Sequence, residues 1–226
     1  GAERWAYVPN TAYRYLSRLT SKFNLFTQSS VDNTPTLREA YIKGAWRTML
    51  VGSMRLGGQG IFALDVTDSA PTGAASKVMW EFNDESTLGG SGVDLGYTYG
   101  RPFITRVAAN NKWVVLVPGG YNSSDNDSGR DTKLGTGLAV LFVLDASNGS
   151  IIKKFDLPGT TRGLSSVVAG DYVFGGSTVT GRTQFLSSAQ TGDEITDVAF
   201  AGDDYGNLWR FDLEGNVGRW NVKQFF

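Results

Sequence analysis

One strand–turn–strand pattern occurs three times along the chain and limits the folds that it can adopt. The copies cover residues 46–68, 112–149 and 197–215. In each copy an alternating apolar segment leads through a glycine-rich or polar turn into a second alternating segment, which is the pattern of a β-hairpin. The returning segments of the three copies share an aspartate: Asp65, Asp145 and Asp212. The chain is therefore predicted to repeat one hairpin unit.

Each hairpin has a further strand candidate on either side of it. The preceding segments are residues 34–42, 100–108 and 164–175, and the following ones are residues 77–82, 150–157 and 217–226. The unit is thus four short antiparallel strands occurring about three times, which is typical of β-propeller blades. Each such sheet has two apolar faces that only its neighbours can bury. We predict an all-β fold of the β-propeller class, with a β-sandwich as the alternative.

The repeats divide a single domain or domain fragment, residues 1–226, into blades. The three predicted blades are residues 31–83, 97–157 and 164–226. Closed propellers usually contain four to eight blades, so we expect these three to be part of a larger ring. Residues 1–30 are expected to finish a preceding blade with a strand at residues 3–9 and to continue into one short N-terminal helix. The apolar positions of that helix are Tyr15, Leu16, Leu19 and Phe23.

The composition excludes several kinds of functional site. The chain has 226 residues but no cysteine and no histidine, so a disulfide, a thiol nucleophile, a zinc–thiolate site and a Ser-His relay are all absent. Its net charge of −1 argues against nucleic-acid binding, which requires a large positive surface. No segment has the roughly 20 consecutive apolar residues of a membrane span, so we expect a chain that does not cross a membrane.

Several conspicuous motifs are interpreted as structural. Asp65, Asp145 and Asp212 are expected to close turns, because an aspartate side chain often accepts a hydrogen bond from the backbone two residues later. The glycine-rich residues 52–60 are followed neither by a helix nor by a Lys-Ser/Thr pair, which excludes a phosphate-binding loop. Asp94 lies in a glycine-rich segment that we interpret as a connection between blades.

Two acidic segments are candidate calcium sites. In the turn of the second hairpin, Asp125, Asp127 and Asp131 follow the spacing D-x-D-x-x-x-D. Calcium takes six to eight oxygen ligands, mostly carboxylates and carbonyls on a flexible loop. The second segment precedes the third hairpin and contains Asp193 and Asp197. The alternatives are a solvated surface insertion at the first segment and an ordinary turn before a strand at the second.

The three hairpins also carry specific strings besides their common pattern. These strings are DNTPTLREAYIKGAWRTMLVGSMRLGGQGIFALDVTD, WVVLVPGGYNS, LFVLDASNG and AFAGDDYGNLWRFDL. In this order they resemble the C-terminal β-propeller domain of the PilC/PilY family, and GAERWAYVPNTAYRYLSRLTS is similar to that domain's start. The resemblance covers most of the chain. It implies a secreted protein of the bacterial cell surface, the outer membrane and the tip of the type IV pilus.

The functions implied by the resemblance are pilus biogenesis, twitching motility and adhesion. The implied partners are pilin subunits and minor pilins, together with a host-cell or abiotic surface ligand. The resemblance also implies calcium, held by a loop of the form D-x-D-x-D-x-x-x-D before the strand VAFAGD. In this chain Asp193 and Asp197 occupy ligand positions of that loop, while Ala189 and Thr191 occupy two others. The loop at Asp125 is an equal candidate by residue type.

These observations leave three functional hypotheses. The first is a non-enzymatic pilus-associated protein, regulated by calcium, that presents loops such as residues 84–96 and 122–137 to its partners. The second is a quinoprotein-like dehydrogenase using pyrroloquinoline quinone. The blades of such enzymes have a strand pattern similar to IFALDVTD followed by VMWEF, but this chain lacks their usual pair of adjacent cysteines. The third is a purely structural propeller in which calcium only stiffens a blade.

Overall fold

The computed structural model describes residues 2–20, 22, 30–68, 70, 73–84, 91–125, 134–171 and 194–226. Within these ranges twelve strands form three four-stranded antiparallel sheets. Sheet 1 contains β1 (Thr36–Ile42), β2 (Ala45–Ser53), β3 (Gly60–Asp65) and β4 (Val78–Asn83). Sheet 2 contains β5 (Phe103–Val107), β6 (Lys112–Gly119), β7 (Val140–Asp145) and β8 (Ile151–Asp156). Sheet 3 contains β9 (Val168–Gly170), β10 (Val198–Gly202), β11 (Leu208–Asp212) and β12 (Asn221–Gln224).

The strands of each sheet are adjacent in chain order, which confirms the predicted four-stranded unit. Turn chemistry explains why the chain reverses where it does. Between β1 and β2, Lys43 and Gly44 have φ values of 52° and 80°, and two positive φ values in succession favour a tight hairpin. The predicted strand at residues 164–175 is confirmed over β9, and residues 172–175 lie outside the described part of the chain.

Two separate cores lie on the two faces of sheet 2. Val115 and Phe142 face a core shared with sheet 1, whereas Leu116 and Leu141 face a core shared with sheet 3. All four side chains are buried. A β-sandwich has a single interior between two sheets, so this arrangement excludes the sandwich alternative. Stacked blades require this arrangement, because each blade buries both of its faces against its neighbours.

The first strands of the three sheets are neighbours. β1 lies beside β5, and β5 lies beside β9. Two side chains of β1 bind the backbone at β5: the Thr36 hydroxyl donates to the Pro102 carbonyl at 2.7 Å, and Arg38 Nη1 donates to the Ile104 carbonyl at 2.8 Å. First strands that gather on one side are expected of blades arranged around one axis, so the three sheets are part of a β-propeller.

The antiparallel order places the connections at two ends of the sheets. We call the end with the connections between the first and second strands of each sheet, such as Lys43–Gly44, the near end. The end with the connections between the second and third strands is the far end.

In the described part of the chain no helix is long and apolar enough to cross a membrane.

The predicted N-terminal helix is confirmed as α1 (Tyr13–Leu19). Its predicted apolar face is only partly buried, since Tyr15 is buried but Leu16 and Leu19 are 42% and 66% exposed. Phe23 lies outside the described residues. A helix of about two turns can place only one or two side chains against a sheet, which explains the difference.

Residues 2–9 pair with no strand in the described part of the chain, and the strand predicted there, which would finish a preceding blade, stays a prediction. They pack on the face of sheet 1 that is turned away from sheet 2, where Trp5 and Tyr7 join a small core with Phe62. The Tyr7 and Phe62 ring centroids lie 5.0 Å apart, and the Tyr7 hydroxyl donates to the Glu81 carboxylate. The apolar alternation of this segment places Trp5 and Tyr7 against the open face of sheet 1.

Candidate functional site

The aspartates that end β3 and β7 close turns, as predicted. Asp65 Oδ1 accepts hydrogen bonds from the backbone N–H and the hydroxyl of Thr67, at 3.1 and 2.6 Å. Asp145 Oδ1 accepts the corresponding bonds from Ser147, at 2.9 and 2.6 Å. A hydroxyl residue two positions after the aspartate therefore completes both turns.

A cation from the adjacent strand pairs with each of these carboxylates. Arg47 of β2 pairs with Asp65, and Lys112 Nζ of β6 lies 2.6 Å from Asp145 Oδ2. Burial acts to raise the pKa of both carboxyl groups, but their hydrogen bonds and cationic partners outweigh burial and lower each pKa. Both groups are therefore ionised at neutral pH and bound within their own hairpins, which is a structural role.

Asp212, the third repeated aspartate, forms no such turn with the described residues, so that prediction is wrong for the third hairpin. The residue two positions later is Glu214, whose carboxylate would repel that of Asp212. Asp212 pairs instead with Arg210 at 2.7 Å and Lys223 at 3.5 Å. In sheet 3 the turn-closing role belongs to Asp203, at the far end.

The predicted calcium ligands divide between the two ends of the sheets. Asp125 follows β6 at the far end, whereas Asp197 precedes β10 at the near end. Since β6 and β10 are the second strands of their sheets, Asp125 and Asp197 cannot bind one ion together. The other predicted ligands, Asp127, Asp131 and Asp193, lie outside the described residues.

The Asp125 segment is held at its base by hydrogen bonds. Gln59 Nε2 donates to the Asp125 carbonyl at 2.9 Å, and Gly135 N donates to the Ser123 carbonyl at 2.8 Å. The Asp125 side chain itself is exposed. The described part of this segment thus anchors the turn to sheet 1 and directs the Asp125 carboxylate towards water.

Asp197 lies among backbone groups of two neighbouring strands. Its N–H donates to the Gly170 carbonyl at 3.2 Å, and its carbonyl accepts from Leu213 N at 2.7 Å. Asp171, which follows β9 directly, accepts a hydrogen bond from Glu194 N on Oδ2 at 2.9 Å. Asp171, Glu194 and Asp197 therefore all lie at the base of the connection between β9 and β10. Sequence analysis did not single out Asp171, because it is distant in the sequence from the other two residues.

A cavity of about 510 Å³ opens beside this base, between the first strands of the sheets. Arg38 of β1 lines it together with Asp171 and Glu194. Its floor includes the buried hydroxyls of Thr105 and Thr196, which lie 2.6 Å apart. The cavity thus carries charges of both signs beside apolar groups such as the Phe103 ring.

No group of three or more carboxylate, imidazole or thiolate side chains converges among the described residues in a way that could hold a metal ion. Calcium prefers several carboxylate or carbonyl oxygens at once. The described residues therefore do not make a complete calcium site at either end by themselves.

The segment that contains Asp94 connects sheets 1 and 2, as predicted. Asp94 Oδ1 accepts hydrogen bonds from the backbone N–H and hydroxyl of Thr136, at 2.6 and 2.9 Å, and Oδ2 pairs with Lys154 of β8. Burial acts to raise the pKa of Asp94, but these bonds outweigh it and lower that pKa. The segment between sheets 1 and 2 is thereby tied to sheet 2.

Comparison with known proteins identifies the family. A model of the PilY1 β-propeller domain matches residues 10–224. The chain belongs to this family. The PilC/PilY resemblance predicted from the hairpin strings is confirmed, and so is the all-β propeller class.

Two curated relatives illustrate the similarity to PilY1. The type IV pilus biogenesis factor PilY1 of Pseudomonas aeruginosa (strain UCBPP-PA14) is 35% identical over 222 residues, a match covering 96% of this chain and 16% of the relative. A PilY1 homolog of Xylella fastidiosa (strain Temecula1 / ATCC 700964) is 34% identical over 223 residues, covering 98% of this chain and 14% of the relative. The chain therefore corresponds to only 14–16% of the length of these relatives.

A solved structure extends the comparison to three dimensions. The crystal structure of the P. aeruginosa PilY1 C-terminal domain superposes with a TM-score of 0.64 at 33% identity, covering 94% of this chain and 35% of that chain. The three sheets therefore occur together in the PilY1 domain. Coverage of about a third of the solved chain agrees with a partial propeller.

Proposed function

We infer that this propeller segment acts in type IV pilus biogenesis as a non-enzymatic protein of the bacterial cell surface. The match to the PilY1 family over residues 10–224 is the observation that carries this proposal. The relatives named above are type IV pilus biogenesis factors, and their similarity extends over nearly the whole of this chain. Placement at the outer membrane and the pilus tip belongs to the same proposal.

The form of the protein supports a role in binding other proteins and surfaces. Three sheets packed face to face make a stiff support, and their connections project at two ends. Loops on a rigid scaffold are where binding residues are usually found. The partners in this proposal are pilin subunits, minor pilins and a ligand on a host cell or abiotic surface, with twitching motility and adhesion as outcomes.

The direct test is deletion of the gene in the bacterium that encodes the chain, with the full-length gene as complement. The proposal expects surface pili recovered by shearing, twitching zones and surface attachment to fall, and complementation to restore all three. Repeating the deletion in a strain unable to retract pili separates assembly from retraction. Unchanged piliation and unchanged twitching in the deletion strain would refute the proposal.

Calcium binding at the connection between β9 and β10 is a second part of the proposal. Its support is the position of Asp193 and Asp197 in the family's loop pattern, together with the backbone hydrogen bonds that hold Asp197 in place. The Asp125 segment has oxygen-rich residues but an exposed carboxylate at its base. We therefore place the ion at the near end. The quinoprotein alternative has no specific observation in its favour.

A further inference from the structure

Three aromatic side chains form one continuous surface at the near end of sheets 1 and 2. Tyr41 of β1 and Trp46 of β2 are 51% and 62% exposed, and Trp113 of β6 is half-buried. The Tyr41 and Trp46 ring centroids lie 5.7 Å apart, and those of Trp46 and Trp113 lie 6.1 Å apart. We call these three residues the aromatic shelf.

The backbone holds the shelf in one arrangement. Tyr41 and Trp46 are paired directly across β1 and β2, next to the tight turn at Lys43 and Gly44. Trp113 is the second residue of β6 and follows a turn in which Asn110 and Asn111 have φ values of 54° and 53°. The rings therefore stand on strand ends rather than on long loops, so little ordering is needed when a partner binds.

The packing of the sheets does not account for the whole shelf. Trp113 packs against the core between sheets 1 and 2 and covers its end. Trp46 and Tyr41 extend beyond it into water, although aromatic side chains gain the most from burial. Contiguous exposed apolar surface on a stable scaffold typically marks a binding site.

Three cationic side chains lie on the strands and turns that carry or adjoin the shelf. The Arg38 guanidinium lies 5.4 Å from the centre of the Trp113 ring and is oriented by its bond to the Ile104 carbonyl. Lys43 lies in the turn beside Trp46, and Arg106 Nε donates to Asn111 at 2.7 Å. Within the described part of the chain, none of these three cations forms an ion pair with a carboxylate. Asp171 and Glu194 share the cavity with Arg38 but do not pair with it.

Other cations of the same strands behave differently. Arg47 of β2 and Lys112 of β6 are bound to Asp65 and Asp145. The cations at the shelf are thus the ones left available for a partner's carboxylates. Charge complementarity of this kind directs association and fixes which partner binds.

We propose that the aromatic shelf docks an acidic protein segment that carries apolar side chains. Trp, Tyr and Arg are the residue types that dominate the binding energy of protein interfaces. The rings cross at 67° and 75°, which leaves crevices for side chains instead of a coplanar platform for sugar rings. The inference deepens the proposed function, because a pilus component would supply the segment.

The test is site-specific photocrosslinking with the full-length protein in the native bacterium. p-Benzoylphenylalanine replaces Trp46, and the adducts formed on illumination are mapped by mass spectrometry. The matched control is the same replacement at Tyr205, an aromatic residue that is 60% exposed at the far end. The expected result is an adduct at position 46 with a segment of another protein rich in Asp, Glu and apolar residues, several-fold more abundant than at position 205.

Charge reversal provides a second readout. Lys43→Glu is expected to reduce the adduct at position 46 several-fold, whereas Arg162→Glu, an exposed site at the far end, leaves it unchanged. Both side chains are exposed, so neither change should unfold the protein. An adduct within the same chain, an adduct with glycan or lipid, equal yields at positions 46 and 205, or no adduct would each overturn the proposal. If the deletion strain loses its pili while the shelf gives no adduct, only the shelf inference fails.

Discussion

The indole N–H of Trp209 donates a hydrogen bond to Asp203 Oδ2, with 2.7 Å between the two heavy atoms. The Trp209 ring is buried in the core between sheets 2 and 3. Asp203 also accepts bonds from the backbone N–H groups of Tyr205 and Asn207, both at 2.9 Å, and from the Asn207 amide at 2.8 Å. One carboxylate therefore joins the turn between β10 and β11 to the core.

Replacing Asp203 by alanine is expected to destabilise the protein more than the same change at the adjacent Asp204. Four donors would lose their acceptor, and one of them belongs to a buried ring, so the free energy of unfolding should fall by at least about 2 kcal/mol. Urea denaturation measures this change. Asp204→Ala is the matched control, because that side chain is exposed and should change stability by less than about 0.5 kcal/mol. Equal losses in the two variants would contradict the role assigned to Asp203.

The contact between Trp80 and Gly149 joins sheets 1 and 2 and should not tolerate a side chain at Gly149. A Cβ atom there would lie 2.8 Å from Trp80 Cδ2, at a φ of 73°. Gly159→Ala is the control, because Gly159 has a φ of 86° but no atom within 4 Å of a Cβ. We expect about 1–2 kcal/mol of strain in both variants and a further loss of about 1–3 kcal/mol in Gly149→Ala alone. Denaturation curves of the two variants measure this difference. Equal losses of unfolding free energy would show that the Trp80 ring shifts to make room for the new methyl group.

The Asp94–Lys154 pair should make stability depend on pH on both sides of neutrality. Hydrogen bonds from Lys154 and Thr136 outweigh burial and lower the pKa of Asp94, so its contribution is lost as the pH falls below about 4. Burial acts to lower the pKa of Lys154, but its bonds to Asp156 and Asp94 outweigh burial and raise that pKa. The contribution of Lys154 to stability is therefore lost as the pH rises above about 10.

Asp94→Asn tests the acid side of this dependence. The difference in unfolding free energy between the parent protein and the variant should be largest near neutral pH and should shrink as the pH falls below about 4 and through the lowered pKa of folded Asp94, because the carboxylate is then protonated in both states. Asp156→Asn is the comparison, since the side chain of Asp156 is 71% exposed and should give a smaller difference. A difference for Asp94→Asn that stays constant with pH would contradict the assignment.

Calcium at the near end predicts an asymmetric response to two substitutions. Calcium at about 100 times its dissociation constant should stabilise the parent protein by about 2.7 kcal/mol, measured as a rise in melting temperature. Asp197→Asn should abolish most of that rise, whereas Asp125→Ala should leave it intact. Calorimetric titration of the same proteins checks the binding directly. If only Asp125→Ala abolished the rise in melting temperature, the calcium site would lie at the far end. If titration gave no heat of binding with any of these proteins, the calcium proposal would fail.

The strands could be predicted because their signals are local. Alternation of side chains along β2, β3, β6 and β7, and turns rich in glycine and asparagine, depend on residues only a few positions apart. The turn-closing roles of Asp65 and Asp145 were predictable for the same reason, since Thr67 and Ser147 follow two positions later. Asp212 lacks such a neighbour, and inspection of Glu214 could have shown this.

Local patterns predicted less where the outcome depended on a distant partner. The apolar alternating segment at residues 2–9 packs on the open face of sheet 1 at Phe62, and whether it also pairs as a strand depends on a partner strand that the segment does not specify. Leu16 and Leu19 have helical spacing, but no surface among the described residues covers them. Neither choice is encoded within the segment itself.

By itself, the sequence determined the repeated four-stranded unit, the positions of its turns and the family to which the chain belongs. Only the tertiary structure decided which side chains meet: Trp80 with the Ala146 carbonyl, 66 positions apart, and Trp46 with Trp113 across two sheets. It also placed Asp125 and Asp197 at opposite ends. The physical reason is that strand patterning has a period of two residues along one chain, whereas contacts between sheets depend on how their faces pack.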